Sequence, residues 1–172
     1  MRITKKHVFF WQGWLSNWYP AEIKYKADGN EITFHCSEQV FMYIKADTFK
    51  DYETAKEIVE KGSDPKEAKA LGRKVKNYND SQWNAIKEQA MYEACYEKFW
   101  QNKDLRDKLL DKKFDGLHFV EGSPYDTIWG IGEHFSSASD DESTWNGQNL
   151  LGKVLDRVRN DIKENLASGT KK

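Results

Sequence analysis

Two cysteines, three prolines and four histidines in 172 residues remove several explanations at once. Cys36 and Cys95 are too few for a disulfide framework or a zinc site. His7, His35, His118 and His134 are scattered, and none stands at ligand spacing from another ligand type, so no metal is expected. No apolar run is long enough to span a bilayer, and the basic opening Met1-Arg2-Ile3-Thr4-Lys5-Lys6 lacks the hydrophobic stretch of a signal peptide. The expected compartment is therefore the cytoplasm. The formal charge is only −1, with acids and bases interspersed, which leaves no broad footprint for a membrane or duplex nucleic acid. There is no Walker A loop and no nucleophile elbow. Gly130-Ile131-Gly132 lacks the third glycine of a dinucleotide fingerprint. No cofactor is expected.

What the chain has instead is aromatic mass and helical patterning. Seven tryptophans suit a compact aromatic core, with some left over as flat stacking surfaces. The length is that of one domain, residues 1–166, with a disordered tail expected over 167–172. The fold class expected is α+β and helix-dominated: an N-terminal antiparallel β-hairpin region, then about six helices. Residues 7–35 read as β structure, and Asp28-Gly29 between Glu22–Lys26 and Glu31–His35 is a hairpin turn signal because glycine accepts positive φ. Helices are predicted from Ser37, from an Asp51 cap to Gly62, from the Asp64-Pro65 start, from Asp80-Ser81 to about Trp100, over Lys103–Leu110, and from Gln148-Asn149 onward. Leu117–Glu121 reads as a strand. The polar stretch 136–144 reads as a functional or mobile loop.

The segment Cys36–Thr48 holds the first unusual pattern. Ser37 is a candidate N-cap. A helix from there places Glu38, Phe41, Met42 and Lys45 on one stripe, with the two charges roughly 10 Å apart along the axis. They are too far apart to pair directly, on a face that Phe41 and Met42 would bury. Either the charges reach solvent at the edge of a core stripe, or something else, such as a ligand, compensates them.

Three further places carry chemistry-bearing residues. Asp126 lies in an irregular loop before Trp129-Gly130-Ile131-Gly132, as a turn aspartate or a site residue. Gly147-Gln148-Asn149 precedes a helix, whose free N–H groups suit a phosphate or carboxylate unless it is an ordinary cap. Gly72-Arg73 offers a guanidinium fork for a phosphate, or an exposed helical arginine.

Taken in order, these residues resemble the NADAR family, also called YbiA-like, across roughly residues 9–160. The resemblance rests on Phe9-Phe10-Trp11-Gln12-Gly13 with Leu15-Ser16-Asn17-Trp18-Tyr19-Pro20, then on Ser37-Glu38-Gln39 with Lys45-Ala46. Gly72-Arg73, Trp83, Met91 and Lys98-Phe99-Trp100-Gln101-Asn102 follow. Glu121-Gly122-Ser123-Pro124 with Asp126, Trp129-Gly130-Ile131-Gly132, and Gly147-Gln148-Asn149-Leu150-Leu151-Gly152 with Arg159 complete it.

That resemblance implies an N-glycosidase. Members of the family cleave ribosylamino intermediates of riboflavin synthesis, and others remove ADP-ribose from modified guanine. It implies Glu38 as general acid or base, Asp126 as a ribose-polarising carboxylate, and Lys45 as a catalytic amine. It also implies substrate-binding positions at Asn17, Trp18, Arg73, Trp129, Gly130, Gly132 and Asn149. The residues suit the chemistry. A carboxylate can stabilise charge developing at ribose C1 or activate water. A lysine amine can attack C1 of an opened sugar to form a Schiff base, aided by apolar neighbours that lower its pKa. Glu38, Lys45, Asp126 and Trp129 are expected to converge. The expected partner is a ribosylated base, free or in nucleic acid, with no membrane and no obligate protein partner. The competing reading is a module that binds ADP-ribose or a nucleotide without turning it over.

Overall fold

The computed structural model describes residues 1–169 and divides into two compact units. Asn17–Lys103 forms one, and Met1–Ser16 with the chain from Asp104 onward forms the other. The class is α+β and helix-dominated, with six α-helices and five short strands among the described residues.

The unit Asn17–Lys103 begins with the hairpin β3 (Ile23–Ala27) and β4 (Asn30–Phe34), paired antiparallel from Ile23↔Phe34 to Ala27↔Asn30. Asp28 and Gly29 make the turn, with φ of 50° and 80°. Positive φ at both central residues matches the right-handed twist of the two strands. Ile23 and Phe34 are buried while Lys24, Lys26, Glu31 and Thr33 are exposed, so the hairpin has one inner face.

Four helices follow: α1 (Ser37–Thr48), α2 (Tyr52–Lys61), α3 (Pro65–Gly72) and α4 (Asp80–Gln101). α1 packs against the other three. Phe41 and Met42 face inward, 4% and 7% exposed, and burying such side chains stabilises by about 1.5–3 kcal/mol each. Side chains of Asp51, Asp64 and Asn79 accept hydrogen bonds from first-turn N–H groups and cap α2, α3 and α4.

The cap of α1 departs from expectation. Cys36 holds the extended N-cap conformation, and Ser37 is already helical. Its hydroxyl oxygen is buried without a hydrogen-bond partner. Other groups satisfy this helix start: the Asn17 carbonyl accepts from Glu38 N–H at 3.1 Å, and Gln39 Oε1 accepts from His35 N–H at 2.8 Å.

The second unit is built on a three-stranded sheet ordered β1 (Arg2–Ile3), β2 (His7–Phe10), β5 (His118–Glu121). β2 runs antiparallel to β1 and parallel to β5. The reading of residues 7–35 as β structure holds for His7–Phe10, Ile23–Ala27 and Asn30–Phe34 and is corrected between the first two. Residues 11–22 contain no strand, Gly13 at φ 86° turns the chain, and the two ends of that stretch belong to different sheets. α5 (Lys103–Leu109) precedes β5, and α6 (Leu150–Ala167) packs on it. Phe9, Phe119, Val120, Leu151, Leu155 and Val158 are all fully buried. Ala167 closes α6 and Ser168 caps it. Residues 170–172 of the expected tail lie outside the described residues.

The polar stretch 136–144 is tied down by side chains. Arg2 donates to the carbonyls of Phe135 and Ala138. Asp140 accepts from Thr4 Oγ1 at 2.6 Å and pairs with His7 Nδ1 at 2.8 Å. Trp145 Nε1 donates to Ser139 O at 2.7 Å.

Candidate active site

Glu38 occupies the second position of α1, and its backbone is fixed by Asn17. That asparagine is buried; its Nδ2 donates to Met91 Sδ at 3.2 Å and its Oδ1 accepts from the Cys95 thiol at 3.5 Å. Asn17 therefore joins α4 to the start of α1, so its side chain positions Glu38. Trp18 beside it is 43% exposed.

Two turns along α1, Lys45 is half-buried. Its ammonium lies 4.9 Å from the centre of the Tyr78 ring and 6.0 Å from that of Trp83. Burial lowers its pKa; Glu38 works against that shift and Arg73 adds to it. Removing the ammonium from water disfavours its charged form, and a neighbouring guanidinium does the same. Glu38, Lys45 and Arg73 thus form one electrostatic group within this unit, which brings three expected site residues together. Arg73 is exposed at the end of α3. Gly72 lets that helix end approach α1: a Cβ there would sit 2.0 Å from Met42 Sδ. Tyr78 carried no signal in the sequence, because it lies in the turn ahead of α4 where Asn77 takes φ 63°. Trp83 reads only as a core position.

A second amine lies deeper in the same unit. Lys98 is 1% exposed, with its Nζ 4.8 Å from the Phe99 ring centre and 5.7 Å from that of Tyr19. Burial pushes its pKa down to about 8, partly offset by Cys95 and Cys36. Burial pushes the Cys36 thiol up to about 11. Nothing in helical periodicity marks Lys98 as buried, since it stands among residues of mixed character.

In the other unit, Asp126 organises the loop after β5. Its Oδ1 accepts from the N–H groups of Ile128 and Trp129 at 2.9 and 2.8 Å, and its carbonyl accepts from Gly132 N–H at 3.0 Å. Oδ2 accepts no hydrogen bond among the described residues. The turn role and a free carboxylate oxygen coexist in one side chain. Gly130 is packed so tightly that a Cβ would lie 2.9 Å from the Asp126 and Glu121 carbonyls, and Gly132 takes φ 70°.

The start of α6 corrects another expectation. The N–H groups of Asn149, Leu150 and Leu151 donate to the carbonyls of Gly130, Ile128 and Trp129 at 3.0–3.2 Å, so none of the three is free for a phosphate. Asn149 holds a left-handed conformation at φ 53°. Its side chain accepts from Glu121 N–H and donates to Phe119 O, each at 3.0 Å. Its amide clamps the end of β5.

Asn17, Trp18, Glu38, Lys45 and Arg73 belong to one unit; Asp126, Trp129, Gly130, Gly132 and Asn149 belong to the other. Among the described residues, no group of three His, Cys, Asp or Glu is placed to hold a metal, and no helix is long and apolar enough to cross a membrane.

Comparison with known proteins places this arrangement in context. An N-glycosidase of Acanthamoeba polyphaga mimivirus is 38% identical, over 91% of this chain and 96% of its own. Protein irg-1 of Caenorhabditis elegans is also 38% identical, over 92% of this chain and 81% of its own. The solution structure of Escherichia coli YbiA aligns with a TM-score of 0.73 at 27% identity, covering 96% of this chain and 90% of that one. The NADAR domain matches residues 9–163, and on that match the chain belongs to the NADAR family.

Proposed function

We propose that the chain is an N-glycosidase that hydrolyses the bond between ribose C1 and a nitrogen base. One observation supports this reading above the others: Lys45 is half-buried with a lowered pKa, on the same helix face as Glu38 and within the field of Arg73. An isolated ammonium on an apolar face is costly, and a lowered pKa leaves more of the amine in the neutral, nucleophilic form than an exposed lysine has. In the proposed reaction, Glu38 donates a proton to the departing nitrogen or draws one from water. Lys45 Nζ attacks C1 of the ring-opened sugar, the base leaves with its amine, and water hydrolyses the resulting imine. Arg73 holds a phosphate of the substrate. The substrates in view are ribosylamino intermediates of riboflavin synthesis and ADP-ribosylated guanine, which share a phosphorylated sugar bonded to nitrogen. Two buried cysteines outside any disulfide, Cys36 and Cys95, support a reducing compartment, and we propose a cytoplasmic location.

The test is to incubate the protein separately with the ribosylaminouracil phosphate and with ADP-ribosylated guanosine, then to add borohydride. Release of base and a reduced adduct on Lys45 are expected. Base release with the adduct on Lys98 instead reassigns the amine. Binding without base release, unchanged in Glu38→Gln and Lys45→Ala, makes the chain a binding module.

A further inference from the structure

Lys45 stands against four aromatic rings that all belong to its own unit, Asn17–Lys103. Phe41, Phe49 and Trp83 are buried and form the base of this cluster. Trp83 lies 5.3 Å from Phe41 and 6.3 Å from Phe49 between ring centres. Tyr78 packs on Phe49 at 5.4 Å and 60°, yet it is 44% exposed, so it forms the open edge. The Lys45 ammonium is nearer the Tyr78 ring than the Trp83 ring, at 4.9 against 6.0 Å. Within that range the negative face of an aromatic ring attracts a cation, most strongly where water is partly excluded.

The Tyr78 ring is held from both sides. Its hydroxyl donates to Asp80 Oδ1 at 2.8 Å, and Asp80 Oδ2 accepts from Asn84 Nδ2 at 3.2 Å. Asn77, left-handed at φ 63°, donates through Nδ2 to the Phe49 carbonyl at 3.4 Å. A ring restrained in this way gives up little freedom when it meets a cation. The charged groups that bear on Lys45 are Glu38 on α1 and Arg73 at the C-cap of α3. Among the described residues, α2, α4 and β4, which also pack on α1, add no charge that acts on it.

The lysine route returns a positive charge to Nζ. Neutral Nζ adds to C1 of the opened sugar, where a protonated imine joins C1 to the base nitrogen. A proton passes from Nζ to that nitrogen, and the bond from C1 to the base breaks with its electron pair leaving on the base amine. The new imine between C1 and Nζ then carries the positive charge that the first one held. Water adds to C1, the lysine amine leaves, and the sugar regains its aldehyde. Nζ is therefore cationic twice, in the resting ammonium and in the imine that links it to the sugar.

We propose that the ring face of Tyr78 holds the positive charge of the protonated imine formed between Lys45 and the sugar. The proposal rests on the lysine route of the N-glycosidase reading, but its test does not need base release. The probe is ribose 5-phosphate with cyanoborohydride. The open-chain sugar offers a C1 aldehyde, and hydride adds to the protonated imine to leave a secondary amine on Lys45, counted by mass spectrometry. Tyr78→Leu removes the π face while keeping an apolar cover, and Tyr78→Phe keeps the face without the hydroxyl.

On the alkaline side of the Lys45 titration the resting amine is neutral, and there Tyr78→Leu forms the adduct about fivefold more slowly than wild type. Tyr78→Phe stays within about twofold of wild type. On the acid side the loss in Tyr78→Leu disappears, because the ring stabilises the resting ammonium as much as the imine. A carbon NMR titration of labelled lysine, assigned with Lys45→Arg, places the Lys45 titration of Tyr78→Leu at lower pH than wild type. Equal alkaline rates in wild type and Tyr78→Leu, or a loss of the same size at every pH, overturn the proposal. So does a Lys45 titration that is unchanged or higher in Tyr78→Leu, or a wild type that forms no adduct on Lys45. Base release without that adduct sinks the proposal and leaves the N-glycosidase reading standing. The expected adduct ratios without base release from either substrate sink the N-glycosidase reading and leave the role of Tyr78 toward the imine standing.

Discussion

Arg73, at the C-cap of α3, pushes its positive charge against the ammonium of Lys45 on α1, while Glu38 on the same helix as Lys45 pulls the other way. The two neighbours therefore have opposite effects on how much amine is neutral at a given pH.

That opposition gives a prediction with a sign. If the neutral Lys45 amine is the nucleophile, kcat/KM rises with pH through the lysine's pKa. Removing Arg73 raises that pKa, so Arg73→Gln moves the rising limb to higher pH. A Glu38→Gln protein that keeps residual activity moves it to lower pH. The Arg73 shift shrinks as salt is added, because Arg73 is exposed, whereas the shift from buried Glu38 is screened less. A rising limb that stays in place in both variants assigns it to another group.

The same group of residues marks what the sequence could disclose. The stripe of Glu38, Phe41, Met42 and Lys45 is legible because helical geometry alone puts those positions on one face, and both apolar members are buried. The hairpin was legible for an equally local reason, the Asp28-Gly29 turn. What stayed hidden depends on partners remote in sequence. β2 pairs in parallel with β5 across more than a hundred residues, and no period in either strand names its partner. The N-cap reading of Ser37 failed because the helix starts one residue earlier than the pattern shows: Cys36 takes the N-cap position, and its carbonyl accepts from Val40 N–H. Tyr78 beside Lys45 and the burial of Lys98 are likewise products of packing.

Lys98 predicts a pH dependence of stability. Its folded pKa, about 8, lies below the 10.5 of an unperturbed lysine. Between those values the unfolded chain binds more protons than the folded one, so this residue makes stability rise with pH across that window. Comparing wild type with Lys98→Met by urea unfolding at pH 7 and pH 10 isolates the effect. The difference in unfolding free energy should move in favour of wild type by on the order of 3 kcal/mol as pH rises. A difference that is constant with pH shows that the ammonium is stabilised in the fold as well as it is in water.

Asn149 predicts a large local cost. Its side chain completes two hydrogen bonds to the backbone of β5 at Glu121 and Phe119, and its own backbone is left-handed. Asn149→Ala strands a buried donor and acceptor and puts a Cβ residue without a compensating amide at positive φ. The expected destabilisation is about 2–4 kcal/mol. Asn149→Asp keeps the acceptor for Glu121 N–H and loses the donor to Phe119, so an intermediate loss is expected. Urea midpoints rank the three proteins, and a midpoint for Asn149→Ala equal to wild type contradicts the clamp.

Asp126 allows its two roles to be separated with two substitutions. Oδ1 is engaged by the N–H groups of Ile128 and Trp129, a duty that an amide oxygen performs nearly as well. The ribose-polarising role that the family resemblance implies for it would use the charge and the second oxygen. Asp126→Asn should therefore keep its thermal midpoint close to wild type while kcat/KM falls about 10- to 100-fold, in the range expected when a charge-assisted hydrogen bond to substrate is weakened. Asp126→Ala should lose a comparable amount of activity and also about 1–2 kcal/mol of stability, because two turn N–H groups lose their acceptor. If Asp126→Asn retains full activity, the carboxylate serves the turn alone. The hydrogen bonds to Ile128 and Trp129 N–H are then the whole of what Asp126 does in the loop.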